Sequence, residues 1–281
     1  MLKKEKKKIV KGKVLSQNAG IKAWYDKELQ ELIRSMTKDT QKRFLELYRT
    51  HKNSQKGYAT AIRILNKELS EEWISKFNKT GKELAKKMVL KQTKYLKSSI
   101  NQAMMPLLPK ELEVENRSYL RFGLKGSMLD DPRRAEIIKA SINENVSYIK
   151  SISEQYHIKM NSAIVRSFQV GGNEKDLIND IMQIGQVTKR KAQLIARDQS
   201  SKIYSALCLQ EMKDLGIKKF EWVHSHGGEH PRPLHRKLDG HIFEIASPPI
   251  IQEQKGKQRQ EKGFPGQLIN CNCVMRPVIE Y

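Results

Sequence analysis

Trp222-Val-His-Ser-His-Gly-Gly-Glu-His-Pro-Arg-Pro-Leu-His-Arg-Lys-Leu-Asp-Gly240 and Leu268-Ile-Asn-Cys-Asn-Cys-Val-Met-Arg-Pro277 hold the densest chemistry of the chain. Four of its seven histidines (His224, His226, His230, His235) lie in the first piece, with His241 just beyond it and two of the three cysteines, Cys271 and Cys273, in the second. The Pro/Gly/Gln/Lys-rich run from Ser247 to Gly266 between them reads as a surface excursion that brings the chain back, so the two pieces are expected to meet in space. Strand-like alternation at Phe220–Val223, Ile242–Ile245 and Cys273–Arg276 frames both pieces, which predicts a small sheet.

Upstream, Lys189 to Leu215 carries a continuous apolar stripe (Ala192, Ile195, Ala196, Ile203, Leu207, Met212) that ends at Gly216, the pattern of a long packing helix with a glycine C-cap. Thr188 reads as its N-cap. A shorter helix is expected from Glu174 to Ile184, stopped by Gly185, and one or two more from Ala135 to Val170. Cys208, within the stripe, reads as a small core side chain. The first hundred residues show helical spacing over Ile21–His51 (Trp24, Leu29, Leu32, Ile33, Met36, Phe44), over Tyr58–Phe77 and over Glu83–Met105, and lysines 86, 87, 91, 94 and 97 give the last of these a cationic face. From Pro106 to Pro132 the helical period is lost. The fold class is therefore α+β: a mostly helical N-terminal part, then a C-terminal module of long helices packed on a small antiparallel sheet. The expected organisation is a basic disordered tail over 1–13, a helical region over 14–105, a linker or arm over 106–134, and a module over 135–281.

The 281 residues suffice to bury a large core, and 53 Lys+Arg against 31 Asp+Glu leave a net charge of +22. With a sequence pI near 9.8 and a mean hydropathy of -0.65, the chain reads as a folded protein that meets a polyanion. Residues 1–13 hold seven lysines and one glutamate, so Lys3, Lys4, Lys6, Lys7, Lys8, Lys11 and Lys13 are the candidate phosphate contacts. No apolar run approaches the roughly 18 residues of a membrane span, and three cysteines do not make a disulfide framework.

A shared strand face would let Cys271 and Cys273 converge, since side chains two apart point the same way. The candidate metal set is then His230, His235, Cys271 and Cys273 around structural zinc, with His224 or His226 as substitutes for His230. The other reading, also open at this point, packs both cysteines in the sheet and leaves the histidines bonded to backbone in a tight Gly/Pro loop. Asp239-Gly240 is a turn signal, with Asp239 expected to orient His235 or Arg232. Arg197 and Asp198 read as a buried or half-buried polar link from the long helix to the sheet. No nucleophile-bearing motif accompanies these residues.

Ala196-Arg197-Asp198, Leu215-Gly216-Ile217, Trp222, His224 through Gly240, Pro265-Gly266, Asn270-Cys-Asn-Cys273 and Pro277, in that order, closely resemble the phage Mu F-like family of head morphogenesis, or minor head, proteins of tailed phages and prophages. The resemblance covers roughly Val165 to Tyr281. It implies a non-enzymatic minor component of the phage head interior, made in the host cytoplasm and carried in the virion, whose partners are portal protein, capsid or scaffold proteins and double-stranded DNA bound without sequence preference, with no membrane role during assembly. Relatives can carry fused C-terminal toxin domains, and none is expected in the sequence ending at Tyr281. A rival reading is a metal-dependent nuclease, with His224, His226, His230, His235 and Asp239 holding a catalytic ion. A weaker third is a DNA-binding regulator.

Overall fold

A computed structural model of the chain describes residues 8–51, 55–107, 132–169, 174–226, 231–253 and 260–280. The elements run β1 (Ile9–Lys11), α1 (Ala19–His51), α2 (Gln55–Met104), a 3-10 turn (Met105–Leu107), α3 (Pro132–Gln169), α4 (Glu174–Asp214), β2 (Lys219–Val223), α5 (Pro233–Leu238), β3 (Ile242–Glu244), β4 (Ile250–Glu253), β5 (Gln260–Lys262) and β6 (Val274–Glu280). The α+β expectation holds: long helices precede a four-stranded antiparallel sheet of order β1-β6-β2-β3, and β4 pairs with β5 in a separate two-stranded ladder.

The helices are fewer and longer than the sequence suggests. The two patterns expected over 58–77 and 83–105 are one helix, α2, and those expected over 174–184 and 189–215 are one helix, α4. Two glycines explain the difference. A Cβ on Gly81 would lie 3.1 Å from Ile149 Cγ2, and one on Gly185 would lie 2.8 Å from Thr37 Cγ2. Both glycines therefore serve close approach of a neighbouring helix and do not end their own. Thr188 is likewise inside α4, where its hydroxyl donates to Ile184 O at 2.7 Å, a bond back along the helix and not an N-cap. Gly216 does what its position suggested: at φ 71° it closes α4 in a Schellman pattern, with Ile217 N–H donating to Met212 O at 2.9 Å and Gly216 N–H to Lys213 O at 3.0 Å.

The chain forms two compact units that interleave in sequence, one from 1–19, 89–139 and 198–281, the other from 20–88 and 140–197. The boundaries expected at residues 13, 105 and 134 do not coincide with them, because α2, α3 and α4 each contribute to both. Residues 108–131, most of the expected linker or arm, lie outside the described residues.

The second unit is helical. Its core includes Tyr25, Ile33, Phe77, Ile152, Tyr156 and Ile181. Polar groups inside it are tied across helices: Tyr25 Oη donates to Asn145 Oδ1 at 2.6 Å and Trp73 Nε1 to Asp39 Oδ2 at 2.9 Å.

The first unit holds the sheet. Opposite β2, β6 pairs Trp222 with Met275 and Phe220 with Pro277, which places these four on one face, and all four are buried. The other face carries Glu221, buried, with Arg276 Nη1 at 2.9 Å and Lys11 Nζ at 3.2 Å. β1 was not legible in the sequence. The reading of 1–13 as a disordered tail is corrected for its last residues: Ile9–Lys11 adds to the sheet edge along β6, and the following backbone continues the docking, Gly12 N–H to Pro277 O, Lys13 N–H to Ala103 O and Leu15 N–H to Met275 O, each 2.9 Å. A Cβ at Gly12 would meet Ala103 O at 2.4 Å, so this approach requires glycine. Lys3, Lys4, Lys6 and Lys7 lie outside the described residues; Lys8 and Lys13 are exposed, and Lys11 is engaged by Glu221.

Candidate metal centre

Three of the residues singled out by the sequence come together: His235, Cys271 and Cys273, with their ligand atoms within 4.8 Å of one another and only 2%, 3% and 4% exposed. His235 stands on α5, a six-residue helix started by Pro233, whose missing N–H suits a first-turn position. Its Nε2 faces Ile251 O at 3.2 Å. A carbonyl only accepts, so Nε2 carries its proton, and Nδ1 is left facing Cys271 Sγ at 3.4 Å and Cys273 Sγ at 3.7 Å. Trp222 supports the imidazole edge-on, its ring centroid 5.1 Å away.

The cysteines arrive from the other quoted piece. Asn270 sits at φ 58°, a left-handed conformation that asparagine tolerates, and Cys271 N–H closes the turn onto Leu268 O at 3.0 Å. Cys271 and Cys273 both precede β6, so the expectation that they share a strand is corrected, yet both sulfurs reach the same His235 Nδ1. The turn is held to α4 by Asp198, whose Oδ1 accepts the Asn270 N–H at 3.2 Å while Oδ2 pairs with Lys202 Nζ at 3.0 Å. Ser205 Oγ donates to Pro265 O at 2.5 Å, and Gly266, at φ 81°, directs its N–H to Cys271 Sγ at 3.4 Å.

These contacts set the state of the thiols. Cys271 is held well below the ordinary thiol range, first by the Cys273 S–H directed at it; burial opposes, and His235 together with the Cys273 and Gly266 N–H groups adds to the lowering. Cys273 is pushed up by that same shared proton and by burial. The indole N–H of Trp222 lies toward Cys273 without completing a hydrogen bond.

The remaining histidines form a second cluster. Asp239 Oδ1 accepts the His224 N–H at 2.8 Å and its Oδ2 meets His226 Nε2 at 3.0 Å, while His226 N–H donates to His224 Nδ1 at 3.0 Å. Burial works to raise the Asp239 carboxyl, but the bonds from His224 and His226 and their charge outweigh it and leave it lowered. His224 is lowered too, by burial first and by the neighbouring His226. The expectation that Asp239 orients His235 or Arg232 is thus corrected: it orients His224 and His226. Gly240, at φ 75°, donates to Trp222 O at 2.8 Å and fixes the loop to β2. Arg232 reaches the other piece instead, Nη2 to Ile269 O at 2.8 Å. Of the expected helix-to-sheet link, Asp198 is buried and makes the connection, whereas Arg197 is exposed. His230 lies outside the described residues. Cys208 is buried in the core, as its place in the stripe suggested.

Two participants escaped sequence reading. Ile251 matters through its backbone carbonyl, which no side-chain pattern reveals, although Ile250-Ile251 after Pro248-Pro249 marks a strand. Arg134, at the start of α3, pairs with Asp214 at 2.6 Å and Glu211 at 3.2 Å, a match across 80 residues that no local spacing signals.

A long helix closed by a left-handed glycine, a small antiparallel sheet, and a loop that folds one histidine onto a Cys-x-Cys define the module. Residues 158–276 match the family described as Phage Mu protein F like protein, so this segment is similar to that family. A Haemophilus influenzae (strain Rd) protein named only as uncharacterized is 28% identical over 282 residues, an alignment covering 100% of this chain and 58% of that protein. The chain thus spans little more than half the length of that relative. No solved structure matches.

Proposed function

We propose that the chain acts in phage head morphogenesis as a minor head protein: a non-enzymatic component inside the procapsid that associates with the portal vertex and touches packaged DNA. The observation that carries this is the Mu F-like match over 158–276, which falls on the segment whose motifs build the His/Cys centre and its supporting turn. The net charge of +22 supports contact with a polyanion, the exposed Lys8 and Lys13 are available to it, and Lys3, Lys4, Lys6 and Lys7 precede them in the sequence. Exposed Lys86, Lys87, Lys91 and Lys94 along α2 add a second cationic run. Such binding is sequence-tolerant, because phosphates carry no sequence information. Among the described residues no helix is long and apolar enough to cross a membrane. The protein would be made in the host cytoplasm and end in the virion.

The rival nuclease needs His224, His226, His230, His235 and Asp239 on one ion, and of these His230 lies outside the described residues. Among the described residues His235 turns to the two sulfurs while Asp239 takes His224 and His226, which favours a structural centre over a catalytic one. Co-expression of the full chain with the portal and capsid proteins of the phage or prophage that encodes it, followed by affinity capture, tests the proposal. Co-purification with portal or procapsids is expected; recovery of the chain alone, with both partners assembled, would overturn it.

A further inference from the structure

We propose that His235, Cys271 and Cys273 supply three of the four ligands of a tetrahedral zinc ion, through Nδ1 and the two Sγ atoms. A zinc ion about 2.3 Å from each sulfur and about 2.0–2.1 Å from nitrogen, at tetrahedral angles, sets nitrogen and sulfur about 3.6 Å apart. The observed nitrogen–sulfur separations are 3.4 and 3.7 Å, so both of these edges already have the length such a site needs, and all three ligand atoms lie within 4.8 Å of one another. The imidazole is already in the tautomer a ligand needs, because Ile251 O at 3.2 Å fixes the proton on Nε2 and turns Nδ1 to the sulfurs; bonding of the far nitrogen to a carbonyl is the usual support for a metal-bound histidine.

The surrounding donors favour two thiolates. The N–H of Gly266 points at Cys271 Sγ from 3.4 Å, the N–H of Ser225 bonds to Cys273, and the fully buried Trp222 Nε1–H lies toward Cys273 with no partner of its own. A neutral thiol is a weak acceptor and leaves that buried indole donor unsatisfied. A zinc-bound thiolate answers it. Two sulfurs and an imidazole also select zinc over magnesium or calcium, which prefer oxygen. His224 is not a ligand in this arrangement: its Nδ1 accepts the His226 N–H at 3.0 Å, so its Nε2 holds the proton. The near-complete burial of the three ligands gives the ion a stapling role, joining α5 to the turn before β6.

The test uses the untagged full chain, stripped of metal and titrated with Co²⁺ and then Zn²⁺. One cobalt per chain is expected, with thiolate-to-cobalt charge-transfer absorption that zinc abolishes. Cys271→Ser and Cys273→Ser should each weaken zinc binding by at least about tenfold, the scale on which even outer partners of a metal act; His226→Ala, on the exposed rim, should not. A folded wild-type chain that shows no charge-transfer band, or a band unchanged in both serine variants, overturns the inference. Should those variants fail to fold, alkylation of the wild type read by mass spectrometry decides: zinc must slow modification of Cys271 and Cys273 relative to Cys208, and equal rates with and without zinc refute the site.

Discussion

Asp198→Ala removes a side chain that, beside Ser205, ties the cysteine-bearing turn to α4, and its cost follows from the contacts. The carboxylate accepts the Asn270 N–H at 3.2 Å and pairs with Lys202 at 3.0 Å, the Lys202 and Asp198 side chains being only 21% and 11% exposed. A hydrogen bond to a charged group contributes about 1.5–3 kcal/mol and an ion pair one helical turn apart about 0.3–0.5. Alanine therefore costs roughly 2–3 kcal/mol and leaves the Asn270 N–H unpaired at a residue already held at φ 58°. Asp198→Asn keeps an acceptor of the same shape but loses its charge, which halves the bond and removes the pair, so about 1 kcal/mol is expected. Urea unfolding followed by circular dichroism reads the order Ala, Asn, wild type. Hydrogen exchange should rise in peptides spanning Pro265–Cys273 in the alanine variant before it rises in β2. Equal stability of the two variants, or unchanged exchange over that turn, would refute the role given to Asp198.

His157 is buried with neither ring nitrogen bonded, and burial lowers it from 6.5 to about 4. The unfolded chain therefore takes up the proton first as pH falls, so stability present above pH 6.5 is lost progressively down to about pH 4, by up to roughly 3 kcal/mol; denaturation from pH 7 to 4 should show this slope in wild type and a shallower one in His157→Leu. Gly185→Ala, usually worth about 1 kcal/mol in a helix, should instead destabilise by about 1–2 kcal/mol because its Cβ meets Thr37 Cγ2 at 2.8 Å, and Thr37→Ser, which deletes that methyl, should reduce or reverse the loss in thermal melts of the double variant. Replacing Lys3, Lys4, Lys6 and Lys7 by serine should flatten the salt dependence of DNA binding by roughly 0.9 in the log–log slope for each lysine that reaches a phosphate, measured by fluorescence anisotropy at several salt concentrations; an unchanged slope removes the tail from the interface.

The helical period identified where α1 to α4 run, because it reports burial directly. Their ends were harder to place, since a glycine that lets a neighbouring helix approach, such as Gly81 or Gly185, looks the same in a sequence as one that stops its own helix. Only Gly216, with Ile217 to fold back on Met212, announced its function. β1 was hidden: Ile9–Lys11 is three residues in a lysine-rich run, and its pairing depends on a β6 some 270 positions away. The two motif pieces were visible as partners, yet the division of the histidines between a sulfur cluster and an aspartate cluster was not, because it depends on how Pro233 turns the chain and on a carbonyl of β4. Arg197 and Asp198 show the limit most simply. Neighbours on a helix lie about 100° apart, so when Asp198 faces the turn Arg197 must face away.

Quantitative mass spectrometry of procapsids purified from the phage or prophage that encodes the chain tests the central claim most directly. Peptides of this chain should be present at a fixed ratio to portal protein before and after DNA packaging. Particles complete in portal and capsid but free of this chain would contradict a role in the head.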